Sequence, residues 1–263
     1  MTAATGTPPV RLEIADGIAR ITLDRPDAMN AVTTALAVAL QQAIRVAGED
    51  PSVNVVVIRG AGANFCAGGD FAEVQRLRDE GPEALRSLFE AFRGACEAVS
   101  AIAQPVIAVV EGIAMAGGFE LMQACDVVLV RDDARISDNH VNFGMVPGGG
   151  GSQRLPRIVG TQRALGLLLS GDRLTGVDAV EWGLAYRSFP AEAFDTEVEQ
   201  FVGRLAARRP DAVRTIKGLV REGLATDLAA GLDLELEAVV SHIAGDAGGA
   251  SVSAFAGRKE GPS

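Results

Sequence analysis

Two glycine-rich segments are placed where a main chain can do chemistry. Asn64-Phe65-Cys66-Ala67-Gly68-Gly69-Asp70 follows an apolar run and precedes a helical pattern. Gly112-Ile113-Ala114-Met115-Ala116-Gly117-Gly118-Phe119-Glu120 lies in the same context. Glycine at a strand-to-helix junction lets the backbone approach a ligand, and the helix start adds free N–H donors and positive potential. Two such N–H groups aimed at one point make an oxyanion hole. The same composition also suits two tight turns with no ligand. A third stretch, Pro147-Gly148-Gly149-Gly150-Gly151, reads as a flexible loop.

Common alternatives are missing. Gly60-x-Gly62-x-x-Phe65 lacks the third glycine of a dinucleotide fingerprint, and no Walker sequence or G-x-S-x-G elbow occurs. His140 and His242 are the only histidines, too few for a histidine-rich metal site, so no metal is expected. Cys66, Cys96 and Cys125 are odd in number and form no CxxC, which suits a reducing cytoplasm. Cys66 adjoins the first glycine cluster, but no histidine stands near it in sequence to make it a nucleophile.

The elements that must position these residues follow from patterning. Residues 10–14 and 18–23 alternate around Asp16-Gly17, a hairpin signal. Asn30 is expected to cap a helix carrying Leu36, Leu40 and Ile44 on one face. Val55–Ile58, Pro105–Val110 and Val127–Val130 are continuous apolar runs, as in strands buried on both faces. Residues 71–100 read as helical with a break at Gly81-Pro82. Beyond Pro190 three helices are expected, over 191–208, 211–223 and 227–244, with no further strand. The division is therefore drawn as a core over 1–188 and a helical region over 189–263.

The 263 residues carry a net charge of −10, from 24 Lys plus Arg against 34 Asp plus Glu. That balance argues against a nucleic-acid binder, which needs a clustered basic face. No apolar run reaches the roughly 18 residues of a membrane span. The first ten residues lack a basic n-region and an apolar h-region, so no signal peptide is expected and a cytoplasmic location is.

Several ordered motifs together resemble the crotonase (enoyl-CoA hydratase/isomerase) superfamily. They are Asp24-Arg25-Pro26-Asp27-Ala28-Met29-Asn30-Ala31, Phe65 to Asp70, Pro105 through Leu121, Cys125-Asp126, Phe143-Gly144 and Pro147 to Gly151. Gln153-Arg154-Leu155 and Leu174-Thr175-Gly176 continue the likeness, which spans roughly residues 10–190 and weakly reaches Phe255–Lys259. The resemblance implies an α/β fold, a spiral of β-β-α units with a C-terminal helical trimerisation region. It implies trimers, often paired into hexamers, and an acyl-CoA thioester substrate, with coenzyme A entering only as part of that substrate. By the same resemblance the oxyanion hole is formed by the N–H groups of Gly69 and Gly117. Ala67, Gly68, Asp70 and Phe71 flank the substrate, and Arg25, Arg258 and Lys259 are the candidate cations for CoA. The family often carries a lysine where Asp27 stands here.

Hydration of an enoyl thioester needs a group to activate water and one to deliver a proton. Hydratases of this family use two glutamates, and Glu120 matches the first; the plain alternative is a first-turn glutamate favoured by the helix dipole. The second position is His140, in Ile136-Ser137-Asp138-Asn139-His140. Histidine can act as acid or base near neutrality, yet a protonated His140 facing ionised Glu120 could quench both. Asp138 either orients His140 or points to solvent. Glu111 either reaches the pocket or caps a loop. Phe71, Val74, Leu77, Leu85 and Leu88 either wall an acyl pocket or form plain core. The leading expectation is water addition to a 2-enoyl-CoA. The alternatives are isomerisation, decarboxylation or hydrolysis through the same enolate with Glu120 and His140, or a non-catalytic acyl-CoA binder.

Overall fold

The computed structural model describes residues 8–245 and Gly249. The chain divides into two compact units, the first ending at Ala206 and the second beginning at Ala207.

The first unit opens with strands β1 (Val10–Ala15) and β2 (Ile18–Leu23), paired antiparallel through Asp16 and Gly17. Both turn residues have positive φ, 53° and 76°, the geometry whose twist matches a hairpin. Helix α1 (Thr34–Glu49) leads to β3 (Val55–Gly60), and α2 (Phe71–Glu80) and α3 (Pro82–Ala101) follow. Then come β4 (Val106–Val110), β5 (Ile113–Met115), α4 (Gly117–Ala124), β6 (Val127–Arg131) and β7 (Arg135–Ser137). A 3₁₀ turn (His140–Phe143), α5 (Gly151–Val159), α6 (Thr161–Ser170), α7 (Gly176–Glu181), β8 (Arg187–Phe189) and α8 (Phe194–Ala206) complete it.

Six strands form one sheet in the order β1-β2-β3-β4-β6-β8, parallel everywhere except at the hairpin. β5 and β7 pair in a second, parallel sheet. Isolated bridges extend that line, Cys66 to Ala114 and Ile136 to Leu174. The chain therefore makes the same turn three times: a long strand, a short extended segment beside its predecessor, then a helix. Cys66, Ala114 and Ile136 are the stacked midpoints of those turns. This is the expected β-β-α spiral, and it sets the starts of α2, α4 and α5 side by side.

Val55, Val56, Ile58 and the whole of β4 are buried because both sheet faces are covered. α1 and α3 cover one face with Leu36, Leu40, Ile44, Phe92 and Val99. Phe194, Val198 and Val202 of α8 cover the other, against Ile18, Val57, Ile107 and Leu129. That packing places α8 with the first compact unit, which ends at Ala206. The helix expected over 191–208 is one of the elements of the core.

Asn30 does not cap α1. Thr33 does, its side chain accepting from the Leu36 N–H at 3.1 Å. Asn30 is instead fully buried at φ 57°, accepting from the Arg25 N–H at 2.9 Å and donating to the carbonyls of Ala61 and Asn64 at 3.0 and 2.8 Å. These three bonds tie the loop after β2 to the loop after β3. Asn30→Ala leaves these groups unpaired and puts a Cβ residue with no side-chain bond at positive φ. It should lower the unfolding free energy by about 3 kcal/mol, measured by urea denaturation.

The second unit contains α9 (Pro210–Gly223) and α10 (Leu228–Ala244), which pack on each other. Neither helix buries a residue, and Leu228, Leu232, Leu236 and Val240 leave an exposed apolar row at fourfold spacing along α10. Among the described residues no helix is long and apolar enough to cross a membrane.

Candidate active site

The first glycine cluster is held by its neighbours in the spiral. The Cys66 N–H donates to the Ile113 carbonyl and the Met115 N–H to the Cys66 carbonyl, each at 3.0 Å. Asn64 Oδ1 accepts from the Ile113 N–H at 3.1 Å. A side chain at Gly118 would place Cβ 2.1 Å from the Cys66 carbonyl oxygen, so this closeness requires glycine. Gly68 (φ 109°) turns the chain beside Ala116, leaving Gly69 ahead of α2. Ala116 has φ 47° and ψ −115°, a strained backbone for a residue with Cβ, immediately before Gly117 opens α4. The N–H groups of Gly69 and Gly117 form no hydrogen bond among the described residues, and both residues line one pocket. Free donors at adjacent loop ends are what an anionic oxygen needs.

Glu120 projects from the first turn of α4 into the same pocket, and only 2% of it is exposed. Its Oε1 accepts from the N–H groups of Gly149 and Gly151, at 2.7 and 2.8 Å. The glycine tract is thus a structured backbone clamp, correcting its reading as a flexible loop. Side chains would not fit: a Cβ at Gly148 would lie 2.6 Å from Phe89, and one at Gly149 2.3 Å from Phe92. Burial pushes the Glu120 carboxyl above the ordinary range and Asp138 adds to this, although the two N–H bonds and His140 pull it down.

His140 starts the 3₁₀ turn and faces this pocket with a side chain 11% exposed. Its Nδ1 lies 2.7 Å from Oδ1 of Asp138, which is 1% exposed. Burial alone would lower the imidazole pKa. The bond to Asp138, its charge and that of Glu120 outweigh it, so the pKa is raised.

The remaining wall is apolar. Phe71, Val74 and Leu88 line it, joined by Val32, Phe89, Phe92, Phe143, Met145 and Val146. Phe71 and Phe143 meet edge to face at 5.5 Å between ring centres. Leu77 and Leu85 do not line the pocket. Sequence patterning passes over Phe89 and Phe92; their spacing from Leu85 and Leu88 along α3 is the signal that would have found them.

Ala67 also lines the pocket, whereas Arg25 and Asp70 pair with each other, Nη2 to Oδ2 at 2.9 Å. Asp70 further caps α2 through the N–H groups of Ala72 and Glu73, both at 3.1 Å. Burial would raise its pKa, but Arg25 and the cap lower it overall. Arg258 and Lys259 lie outside the described residues. Glu111 is bound to Arg59 and, at 3.4 Å, to Arg131, and does not reach the pocket. The Cys66 thiol is buried, its pKa pushed up to about 12, which removes it as a nucleophile. No cluster of three His, Cys, Asp or Glu able to hold a metal occurs among the described residues.

The fold is an α/β spiral whose paired glycine loops border one apolar pocket that also holds the buried Glu120. The family model for enoyl-CoA hydratase/isomerase matches residues 13–262, and the chain belongs to that family. It is 33% identical over 229 residues to the crotonyl-CoA hydratase of Syntrophomonas wolfei, covering 86% of each chain. It is 33% identical over 224 residues to the mitochondrial enoyl-CoA hydratase of Pongo abelii, covering 85% of this chain and 76% of that one. The crystal structure of enoyl-CoA hydratase from Bacillus anthracis superposes with a TM-score of 0.89 at 31% identity, covering 95% of this chain and 96% of that one.

Proposed function

We propose that the protein adds water across the double bond of a 2-enoyl-CoA with an apolar acyl group, through a thioester enolate. The observation that carries this reading is the placement of Glu120 and His140 at one apolar pocket bordered by Gly69 and Gly117. The thioester oxygen accepts from the N–H groups of Gly69 and Gly117, so charge moves onto it as the water oxygen bonds to Cβ. Glu120, anchored through Oε1, takes a proton from that water with its other oxygen. The imidazolium of His140 then delivers a proton to Cα as the enolate collapses. A Glu–imidazolium pair is divided in labour and need not quench itself. Afterwards the proton on Glu120 returns to His140, directly or through water.

Arg25 is committed to Asp70, and its Nη1 donates to the Ala31 carbonyl. A CoA phosphate must compete for it, so Arg258 and Lys259 are the other proposed CoA contacts. The exposed apolar row on α10 supports assembly as a homotrimer or a dimer of trimers. Coenzyme A is substrate, and no separate cofactor is required by this chemistry.

The test is direct. Short and medium 2-enoyl-CoA thioesters mixed with the enzyme should lose their conjugated absorbance and yield the 3-hydroxyacyl product. No loss at high enzyme concentration rejects hydration. His140 in place of glutamate favours one second reading, another fate of the same enolate, which product analysis of 3-enoyl or malonyl-type thioesters distinguishes.

Hydration also fixes the sign of the pH dependence. Activity requires Glu120 ionised and His140 protonated, so kcat/KM should be bell-shaped. Its acid limb should lie above the ordinary carboxylate range, because burial raises Glu120. Its basic limb should lie above the ~6.5 of free imidazole, because Asp138 and Glu120 raise His140 against burial. A plateau through that region would remove His140 as the acid.

A further inference from the structure

Asp138 is a buried carboxylate with little to hold it. Its Oδ1 lies 2.7 Å from His140 Nδ1, and its Oδ2 has no hydrogen-bond partner although fully buried. It accepts no backbone N–H among the described residues, so it neither caps a helix nor closes a turn. Its ion-pair partner among those residues is His140. Burying a carboxylate with one lone contact is costly, and such costs persist where the arrangement serves a site. Nor is the position peripheral. A Cβ at Gly151 would lie 2.9 Å from Asp138 Oδ2 and 3.3 Å from Glu120 Oε1, so the two carboxylates converge on one small space.

We propose that Asp138 is a positioning residue, which holds Nδ1–H of His140 and so presents Nε2 to the pocket as the group that exchanges a proton with Cα. A carboxylate oxygen accepts and does not donate, so the neutral ring in this pair carries its proton on Nδ1. Nε2, on the far edge, is then a lone pair when the ring is neutral and an N–H donor when it is charged. The negative charge of Asp138 also stabilises the imidazolium. The charged groups around the ring are Asp138 on the segment after β7 and Glu120 on α4. Arg154 of α5 donates to the Gly149 carbonyl of the glycine clamp at 2.6 Å. Asp138 is the one of these groups hydrogen-bonded to the ring. The inference rests on the hydration reading for the destination of the proton, but not for the tautomer.

Two measurements test it. The chain has two histidines, so long-range nitrogen–proton correlation spectra of labelled protein, assigned with His242→Gln, read the His140 tautomer without any turnover. The neutral ring should be Nδ1–H; an Nε2–H ring overturns the proposal whatever the protein catalyses. The second is a cycle of Asp138→Asn, His140→Gln and the double variant. Asp138→Asn should lower kcat by about 10–100-fold with KM within about threefold, a part of what acid–base catalysis contributes. It should also move the basic limb of the pH profile downward by about one unit, the loss of one neighbouring charge. The double variant should be no slower than His140→Gln alone. Multiplying losses, or an unmoved limb, overturns it. A wild type with the Nδ1–H ring but no hydration rejects the proposed reaction alone.

Discussion

Glu120→Gln should lower kcat by about 10²–10⁴-fold with little change in melting temperature. The glutamine carbonyl replaces Oε1 as acceptor for the N–H groups of Gly149 and Gly151, so the glycine clamp stays in place. What disappears is the base. KM should move little, because the walls that hold the acyl group are Phe71, Leu88, Phe89 and Phe92. Glu120→Ala should behave differently in one respect. It strips the clamp of its acceptor, so lower stability accompanies the same loss of turnover. Steady-state kinetics and thermal unfolding of both variants separate the two roles. Unchanged turnover in Glu120→Gln would show that the buried carboxyl is structural.

Gly118→Ala should cost about 10²–10³-fold in kcat, comparable to removing one oxyanion donor. The new Cβ meets the Cys66 carbonyl oxygen at 2.1 Å and its carbon at 2.8 Å. Backbone cannot rotate aside as a flexible side chain can. Either α4 or the 66–69 loop must move, and each carries one of the N–H groups proposed to meet the thioester oxygen. The loss should fall on kcat more than on KM, because the donors act most strongly on the charge that develops in the transition state. Circular dichroism should show a folded protein with a reduced melting temperature. A variant with native kcat would mean that the two loops need not meet for catalysis.

The legible parts of the fold were those with local causes. Asp16-Gly17 announces its hairpin because both residues tolerate positive φ, and the continuous apolar runs mark strands that are covered twice. The proposed oxyanion donors also lie in readable glycine clusters. Four features escaped for a physical reason. Asn30 has the composition of a helix cap, but its amide finds better partners in Ala61 and Asn64, more than thirty residues away. The tract Pro147 to Gly151 looks flexible because nothing nearby accepts its N–H groups; the acceptor, Glu120, comes from α4. Phe89 and Phe92 share a helical face with core residues, and periodicity alone does not separate a pocket wall from a core. The helix over 194–206 was legible as a helix but not as a cover for the sheet, since that depends on Phe194, Val198 and Val202 meeting strands far earlier in the chain.

The most direct test of the account is a crystal structure of the enzyme with an unreactive acyl-CoA thioester. Its carbonyl oxygen should lie about 2.7–3.1 Å from the nitrogens of both Gly69 and Gly117. The free oxygen of Glu120 and Nε2 of His140 should lie on the same side of the Cα–Cβ bond, with the acyl chain between Phe71 and Phe92. A thioester carbonyl bound away from both glycines, or Cα and Cβ out of reach of Glu120 and His140, would contradict it.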